Sequence, residues 1–176
     1  MTSSVEQMKS LHGSSTPFAA IRENFLSDEA CDFLMTYYKK YTKSEKWENT
    51  YVMFMDQTNP LHIRKNLIRN YYLNSIRKDF PLKLTYDQLV YWPSGSFKPK
   101  HLDGTTAVDA HLFGKNEWTS VCYLNDNFQG GETILDNDVV NPKKGRLLVF
   151  NSKNIPHGVL ETFGPRYTYI AWWQEK

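Results

Sequence analysis

The sequence predicts an α+β domain in which N-terminal helices pack on one sheet of a β-sandwich or jelly roll. Two helical patterns occur within the first 80 residues, and five short β-rich runs separated by turn residues follow them. The chain also carries 11 Tyr, 10 Phe and 5 Trp among its 176 residues, which indicates a large packed interior. This length suits one hydrophobic core, so we expect a single domain over residues 17–176.

The first 16 residues are polar and rich in serine, and we predict that they form a flexible arm. They lack the apolar stretch of a signal peptide, and no segment is apolar for long enough to span a bilayer. The net charge of +2 argues against nucleic acid or a membrane surface as a partner. The two cysteines, Cys31 and Cys122, are interpreted as unpaired thiols of a cytoplasmic protein.

The first helix is expected to begin after Ser27, which can cap it. Two acidic residues in its first turn, with Lys39 and Lys40 in its last turn, suit the helix dipole. Its apolar side chains recur at spacings of three and four, which predicts one buried face: Phe33, Leu34, Tyr37, Tyr38 and Tyr41.

A second helix is expected after Asn59-Pro60, with the asparagine as its cap, and Pro81 ends it. Its apolar stripe is predicted to be Leu61, Ile68, Tyr72 and Ile76. Basic residues lie around the rest of the helix, and we interpret them as a solvated surface rather than a nucleic-acid face, because acids elsewhere balance the charge: Arg64, Lys65, Arg69, Arg77 and Lys78.

The β-rich half begins after Pro81 and consists of short runs separated by Gly, Pro, Asn and Asp. The predicted strands are Leu84–Trp92, Trp118–Leu124, Glu132–Leu135, Arg146–Phe150 and Tyr167–Trp173. Two long segments, Lys43–Asn59 and Gly104–Trp118, are predicted to be loops that recognise the substrate.

The candidate metal ligands are His101, Asp103 and His157. If His101 begins a short strand, its side chain and that of Asp103, two residues later, project from the same face. Two histidines and one carboxylate leave coordination positions open, as in the facial triad of non-haem Fe(II) oxygenases. Zinc is the competing metal, and a zinc hydrolase would also need a general base, for which Glu132 is the acid to consider.

Arg166 lies nine residues after His157, at the start of the last predicted strand. Alternation places Thr168 and Trp172 on the same face of that strand as Arg166. A guanidinium with a nearby hydroxyl can hold a carboxylate in an apolar pocket, so a dicarboxylate could chelate a metal at one end and meet Arg166 at the other.

Several motifs, in this order and spacing, resemble the 2-oxoglutarate- and Fe(II)-dependent dioxygenases of the prolyl 4-hydroxylase type. They are FLSDEACDFL (25–34), YWPSGSFKPKHLDG (91–104), VCYLND (121–126), GGET (130–133), GRLLVF (145–150), PHGV (156–159) and GPRYTYIAWW (164–173). The resemblance implies a double-stranded β-helix, the jelly roll of this family. It covers about half of the chain, from residue 84 to residue 173.

The resemblance also implies roles for individual residues. His101, Asp103 and His157 would bind Fe(II), and Arg166 would pair with the distal carboxylate of 2-oxoglutarate. Two tyrosines and a threonine would contact the cosubstrate, and one tryptophan would line the pocket: Tyr91, Tyr123, Thr168 and Trp172. Fe(II) is then the cofactor, 2-oxoglutarate and O2 are cosubstrates, and ascorbate is a reductant.

The implied reaction is the hydroxylation of prolyl residues in a peptide or protein, with release of succinate and CO2. The alternatives are hydroxylation of another amino-acid side chain or of a free amino acid and, from another class, a non-catalytic jelly-roll binding module. Nucleic-acid demethylases of this superfamily carry a second arginine six residues after the first, where this chain has Trp172. The segment after Asp103 also lacks an arginine that some protein hydroxylases place near the pocket.

Overall fold

The computed structural model describes residues 9–10, 19–42, 45–56, 61–104 and 116–176. The helices are α1 (Asp28–Tyr41) and α2 (Ile63–Asp79). The strands are β1 (Lys9–Ser10), β2 (Ala19–Arg22), β3 (Glu45–Trp47), β4 (Thr50–Phe54), β5 (Leu82–Trp92), β6 (Lys98–His101), β7 (Trp118–Tyr123), β8 (Gln129–Gly130), β9 (Thr133–Leu135), β10 (Asp138–Val140), β11 (Leu147–Phe150), β12 (His157–Val159), β13 (Thr162–Phe163) and β14 (Arg166–Glu175).

Two antiparallel sheets face each other across one of two hydrophobic cores. The major sheet has the strand order β1-β2-β11-β7-β14-β5-β4-β3, and the minor sheet has the order β10-β9-β12-β6. Val90 and Val121 of the major sheet share a buried cluster with Leu135 and Val140 of the minor sheet. The predicted α+β class with a β-sandwich is therefore confirmed.

The other face of the major sheet shares its core with the helices. Leu34 of α1 and Tyr72 of α2 belong to one buried cluster with Tyr169 and Trp173 of β14. The rings of Tyr72 and Tyr169 lie 4.1 Å apart between centroids. The Ser27 side chain accepts a hydrogen bond from the backbone N–H of Ala30, which confirms the predicted cap of α1.

Helix α2 differs from the prediction at its start and in the environment of its basic residues. It begins at Ile63 after His62, and Asn59-Pro60 lies outside the described residues. Lys65 is buried rather than solvated, because its ammonium donates to the Met55 carbonyl at 3.0 Å, and burial lowers its pKa. Arg69 is only partly exposed, and it forms an ion pair with the buried Asp87 of β5.

The segment predicted as the loop Lys43–Asn59 contains a β-hairpin in its described part. Strands β3 and β4 pair through Trp47 and Thr50, and the turn between them places Glu48 at a φ of 54°. The Thr50 hydroxyl donates to the Trp47 carbonyl at 2.8 Å and so closes the turn. The sequence does not predict these two strands because their residues show no clear alternation of apolar and polar side chains.

Two other predictions fall largely outside the described residues. Of the predicted arm, residues 1–16, only β1 is described, and it pairs with β2 at the edge of the major sheet. Of the predicted loop Gly104–Trp118, residues 105–115 are not described. Within the described part of the chain, neither helix is long and apolar enough to cross a membrane.

Candidate active site

A cavity of about 520 Å³ lies between the two sheets. On the side of the major sheet, residues that pair across neighbouring strands form rows. Successive rows are two residues apart along each strand, because alternate residues face the cavity side. The rows are Thr119–Trp172–Tyr86, then Val121–Ile170–Gln88–Phe54, then Tyr123–Thr168–Val90–Val52, and last Arg166–Trp92. We call the first of these the outer row and the last the inner row, because Trp172 and Tyr86 are half-buried whereas Arg166 is fully buried. Tyr123 and Thr168 belong to the third row but are not among the residues that line the cavity.

Three side chains that can bind a metal converge on this cavity from the minor sheet. The donor atoms of His101, Asp103 and His157 all lie within 4.8 Å of one another. The Nε2 atoms of both histidines are 3.6 Å from Asp103 Oδ1. The sequence thus predicted correctly which three side chains meet.

The way in which these side chains meet differs from the prediction. His101 is the last residue of β6 rather than the first residue of a strand, and Asp103 lies in the turn that follows. His157 begins β12 and stands directly opposite His101 in the antiparallel pair. The backbone N–H of Asp103 donates to the Ser152 carbonyl at 3.0 Å, and this contact fixes the turn.

Gly158 allows β12 to approach β6 closely enough for the two histidines to meet. A Cβ at this position would lie 2.7 Å from the Lys98 carbonyl oxygen and 3.1 Å from the Lys100 nitrogen. Both contacts are with backbone, which cannot move away cheaply. We therefore assign the glycine that follows His157 a role in building the site.

Both imidazoles are oriented by backbone carbonyls. His101 Nδ1 lies 2.9 Å from the Pro99 carbonyl oxygen, and His157 Nδ1 lies 3.0 Å from that of Ile155. A nitrogen that faces a carbonyl must donate, so each neutral ring keeps the lone pair of Nε2 for the cluster. This is the outer-shell arrangement that usually supports metal-binding histidines.

The Asp103 carboxylate is stabilised in its charged form. Burial alone would raise its pKa, but polar contacts with His101, His157 and Ser152 hold the pKa well below its usual range. The Thr119 hydroxyl donates to Asp103 Oδ2 at 2.9 Å. Burial opposes protonation of His101, yet its contacts with Asp103 and with the Pro99 carbonyl raise its pKa. Two imidazoles and one anionic oxygen are a donor set that fits Fe(II).

Arg166 forms the inner end of the cavity. Its side chain is fully buried, and two of its nitrogens, Nε and Nη1, have no hydrogen-bond partner in the described part of the chain. Burial lowers its pKa to about 10, so the guanidinium stays charged at neutral pH. Burying a charge whose N–H groups are only partly satisfied is costly, and a carboxylate bound in the cavity would reduce that cost.

Aromatic and hydroxyl side chains surround Arg166. Its guanidinium carbon lies 4.7 Å from the ring centroid of Trp92 and 5.5 Å from that of Tyr123. The Tyr123 hydroxyl is 2.6 Å from Thr133 Oγ1. Thr168 is fully buried, and its hydroxyl accepts a hydrogen bond from Trp92 Nε1 at 3.2 Å. Thr168 therefore holds Trp92 in place beside the arginine.

Tyr91 is not part of this wall, which corrects the prediction that it contacts the cosubstrate. It points to the opposite face of β5, where its ring stacks on Tyr167 at 4.9 Å and packs against the helix-side core. Neighbouring residues of a strand face opposite ways, so the cavity position belongs to Trp92. The sequence placed a tyrosine ten residues before His101, but only the register of β5 decides which face it takes.

Three further residues belong to the site although the sequence did not predict them: Trp92, Gly131 and Thr133. Gly131 has a φ of 69°, and a Cβ there would lie 3.0 Å from Arg166 Cδ, so the glycine makes room for the arginine. The motif GGET contains both Gly131 and Thr133, so the signal was present in the sequence. Glu132, the candidate base of a zinc hydrolase, does not line the cavity in the described part of the chain.

The outer row is aromatic. The rings of Trp172 and Tyr86 stack at a centroid distance of 4.5 Å and an interplanar angle of 19°. Trp172 pairs with Thr119 across the strands, and Thr119 contacts Asp103. The predicted pocket residue Trp172 thus lies beside the candidate metal ligands, with its indole facing the cavity.

The chain resembles known oxygenases in sequence and in fold. Residues 85–174 match the profile of the 2OG-Fe(II) oxygenase superfamily. No curated protein sequence matches the chain. Similar solved structures include a Pseudomonas putida prolyl-4-hydroxylase, which has 20% identity over 92% of this chain and 94% of that chain, with a TM-score of 0.68.

Two further solved structures have the same fold. One is a viral collagen prolyl hydroxylase from Paramecium bursaria Chlorella virus-1 in complex with 2-oxoglutarate, with 21% identity over 90% of this chain and 96% of that one and a TM-score of 0.66. The other is a prolyl hydroxylase from Trichoplax adhaerens with a peptide fragment of the hypoxia inducible factor oxygen degradation domain, with 18% identity, coverage of 89% and 83%, and a TM-score of 0.68. These likenesses confirm the predicted double-stranded β-helix.

Proposed function

Because the chain belongs to the 2OG-Fe(II) oxygenase superfamily, we propose that it hydroxylates prolyl residues of a peptide or protein and releases succinate and CO2. The observation that carries this proposal is one cavity that combines three metal-binding side chains with a buried arginine lacking an anion. The likeness to three prolyl hydroxylases, one of them with a bound peptide, favours a prolyl residue in a peptide over the other substrates.

In this proposal His101, Asp103 and His157 hold Fe(II). The backbone carbonyls that bond Nδ1 of each histidine keep both Nε2 atoms directed at the metal position. Thr119 orients the carboxylate of Asp103 by donating to its second oxygen. When bound, iron with 2-oxoglutarate supplies the O2-dependent oxidation that places a hydroxyl group on the substrate.

At the inner row, Arg166 would bind the distal carboxylate of 2-oxoglutarate through its unpartnered N–H groups. Trp92 and Thr168 keep the guanidinium in position, and Tyr123 bonds Thr133 at the same end. These packed side chains also exclude water, which strengthens the interaction between the two charges.

The substrate would enter on the side of the outer row. The β3–β4 hairpin, whose Tyr51 pairs with Tyr91 next to the inner row, lines another part of the cavity. Lys98 of β6 bonds both carboxylate oxygens of Glu48 in the hairpin turn at 2.7 Å. The Asn49 side chain donates to the Phe97 carbonyl at 2.9 Å. These contacts hold the hairpin beside the strand that carries His101.

The proposal is tested by mass spectrometry of a proline-containing peptide panel incubated with the protein, Fe(II), 2-oxoglutarate and ascorbate, with succinate measured in parallel. We expect peptides that are one oxygen atom heavier, and no such product with Asp103→Ala. Asp32→Ala is the matched control, because Asp32 is an exposed acid of α1 whose ion pair is with Lys144.

Succinate without a modified peptide would contradict prolyl hydroxylation but keep the oxygenase chemistry, and other amino-acid side chains and free amino acids would then be the substrates to test. If neither succinate nor product forms and 2-oxoglutarate still binds, the binding-module alternative replaces the proposal.

A further inference from the structure

The outer row borders the candidate metal ligands on the side away from Arg166. Thr119, Trp172 and Tyr86 are cross-strand neighbours, and Thr119 donates to Asp103. Trp172 stands six residues after Arg166 on β14, which separates the two by about 20 Å along the strand. A cosubstrate held by Arg166 therefore leaves the outer row free for the substrate.

Asn116 adds an unpartnered polar atom to this end of the cavity. It lines the cavity and is only 3% exposed. Its Nδ2 group donates to the Tyr86 hydroxyl at 3.4 Å, whereas its Oδ1 atom is buried without a hydrogen-bond partner among the described residues, which leave out 105–115. A buried amide oxygen that loses water without gaining a donor costs free energy.

The other buried asparagines of the described chain have hydrogen-bonded amide oxygens, unlike Asn116. Asn125 Oδ1 accepts from the Tyr167 backbone N–H at 2.8 Å, and its Nδ2 group donates to the Pro165 carbonyl. Asn151 Oδ1 accepts from the Asn154 backbone N–H at 3.1 Å. Asn116 differs from both because its side chain lines the candidate active site and carries the unpartnered oxygen.

We propose that Asn116 Oδ1 accepts a hydrogen bond from a backbone N–H of the peptide substrate, next to the prolyl residue that is hydroxylated. This inference rests on the proposed prolyl hydroxylation. A proline has no N–H of its own, so the donor must belong to the residue before or after it. Because the amide oxygen is neutral, it selects peptides that have an N–H at this position, whatever the charge of their side chains.

The substrate class follows from this contact. A proline between residues that each carry an N–H satisfies Asn116, and the stacked Tyr86–Trp172 pair gives its ring a flat apolar surface. A run of prolines offers no N–H on either side and leaves Oδ1 unpaired. The enzyme is therefore selective for isolated prolines and discriminates against polyproline.

The test replaces single peptide N–H groups by oxygen. Two depsipeptides are made from the best substrate of the peptide panel, with an ester in place of the amide N–H either before or after the target proline. We expect one of them to lose about tenfold in kcat/KM with the unchanged protein, mainly through KM. Calorimetry with the Mn(II)- and 2-oxoglutarate-loaded protein, which does not turn over, should show the same loss in peptide affinity.

Variants of Asn116 connect this loss to the amide oxygen. Asn116→Ala should bind the amide and ester peptides equally, whereas Asn116→Asp keeps an acceptor and should retain the discrimination. Asn137→Ala, at an exposed asparagine bonded to Asp136, is the matched control and should behave as the unchanged protein.

An ester penalty that is equal in Asn116→Ala and in the unchanged protein would overturn the inference alone, as would equal turnover of isolated prolines and polyproline. If no peptide is hydroxylated by any variant while the proteins fold and bind 2-oxoglutarate, the proposed function fails and this inference fails with it.

Discussion

The two sides of the major sheet differ in how completely their buried polar groups are hydrogen-bonded. On the helix side, Asp87 is fully buried and bonds Arg69 at 2.7 and 2.8 Å and the Tyr169 hydroxyl at 2.6 Å. On the cavity side, Arg166 and Asn116 are just as deeply buried, yet each has polar atoms without a partner. Arg166 begins β14, and Asn116 lies two residues before β7, so the satisfied network is on the helix side of the major sheet and the unsatisfied atoms are on its cavity side.

This difference separates stability from binding. A satisfied buried network stabilises the fold only while all of its members are present. When one member is removed, the others stay buried without a hydrogen-bond partner, which costs free energy. An unsatisfied polar atom in a cavity destabilises the free protein, and the cost is recovered when a ligand with the matching group binds. Four predictions test this contrast.

The largest effect is expected at the candidate metal ligands on the cavity side. Asp103→Ala should abolish succinate release, a loss of more than about 100-fold, because the carboxylate is the one anionic donor of the cluster. Chelation of iron from the unchanged protein should have the same effect, and re-addition of Fe(II) should reverse it. Turnover that persists in Asp103→Ala would contradict the ligand assignment.

Arg166→Met should raise KM for 2-oxoglutarate about 100-fold, since two charge-assisted hydrogen bonds are lost. The thermal midpoint in the absence of ligand should not fall, because methionine fills similar space without an unpaired charge. Arg77→Met, on the exposed face of α2, is the control for loss of a guanidinium. If Arg166→Met greatly lowered the thermal midpoint but left KM for 2-oxoglutarate unchanged, Arg166 would serve stability rather than binding, contrary to this prediction.

Asp87→Ala should produce the reverse pattern on the helix side. We expect the free energy of unfolding to fall by about 3 kcal/mol, since Arg69 and Tyr169 lose their shared acceptor. KM for 2-oxoglutarate should change little at temperatures where the variant is folded. Urea unfolding measures the free energy of unfolding, and succinate kinetics at low temperature measure KM. A large rise in KM alongside the loss of stability would contradict the proposed difference between the two sides of the sheet.

The smallest effects are expected at two neighbours, Trp92 and Tyr91, which face opposite ways on β5. Trp92→Phe removes the hydrogen bond to Thr168 that steadies the wall beside Arg166, and KM for 2-oxoglutarate should rise about fivefold. Tyr91→Phe should leave KM within about twofold, because its ring belongs to the helix-side core. The opposite ranking of the two variants would restore Tyr91 to the cosubstrate site.

Much of the candidate site could be predicted from local sequence. His101, Asp103 and His157 could be selected because metal chemistry needs their atoms, and Arg166 because a dicarboxylate needs a cation in an apolar wall. Ser27 as the cap of α1 could also be predicted, because capping depends on residues within one turn.

Other parts of the site depend on distant residues and could not be predicted. The side of β5 that Tyr91 occupies depends on its pairing with β14, and a shift of one residue would exchange it with Trp92. Lys65 is basic and sits on a polar helix, so only its contact with Met55 reveals that it is buried. Asn116 belongs to no motif. Whether its Oδ1 atom finds a hydrogen-bond donor depends on which residues the fold brings near it, and the described part of the chain brings none.

The sequence by itself determined the class of fold and the chemical groups of the site, because periodicity, capping and donor chemistry are properties of residues and their near neighbours. Only the tertiary structure decided which face each strand residue presents, how closely β12 approaches β6 at Gly158, and which buried polar atoms remain unpaired. Those outcomes depend on register and packing between segments far apart in the chain, and local sequence carries no record of either.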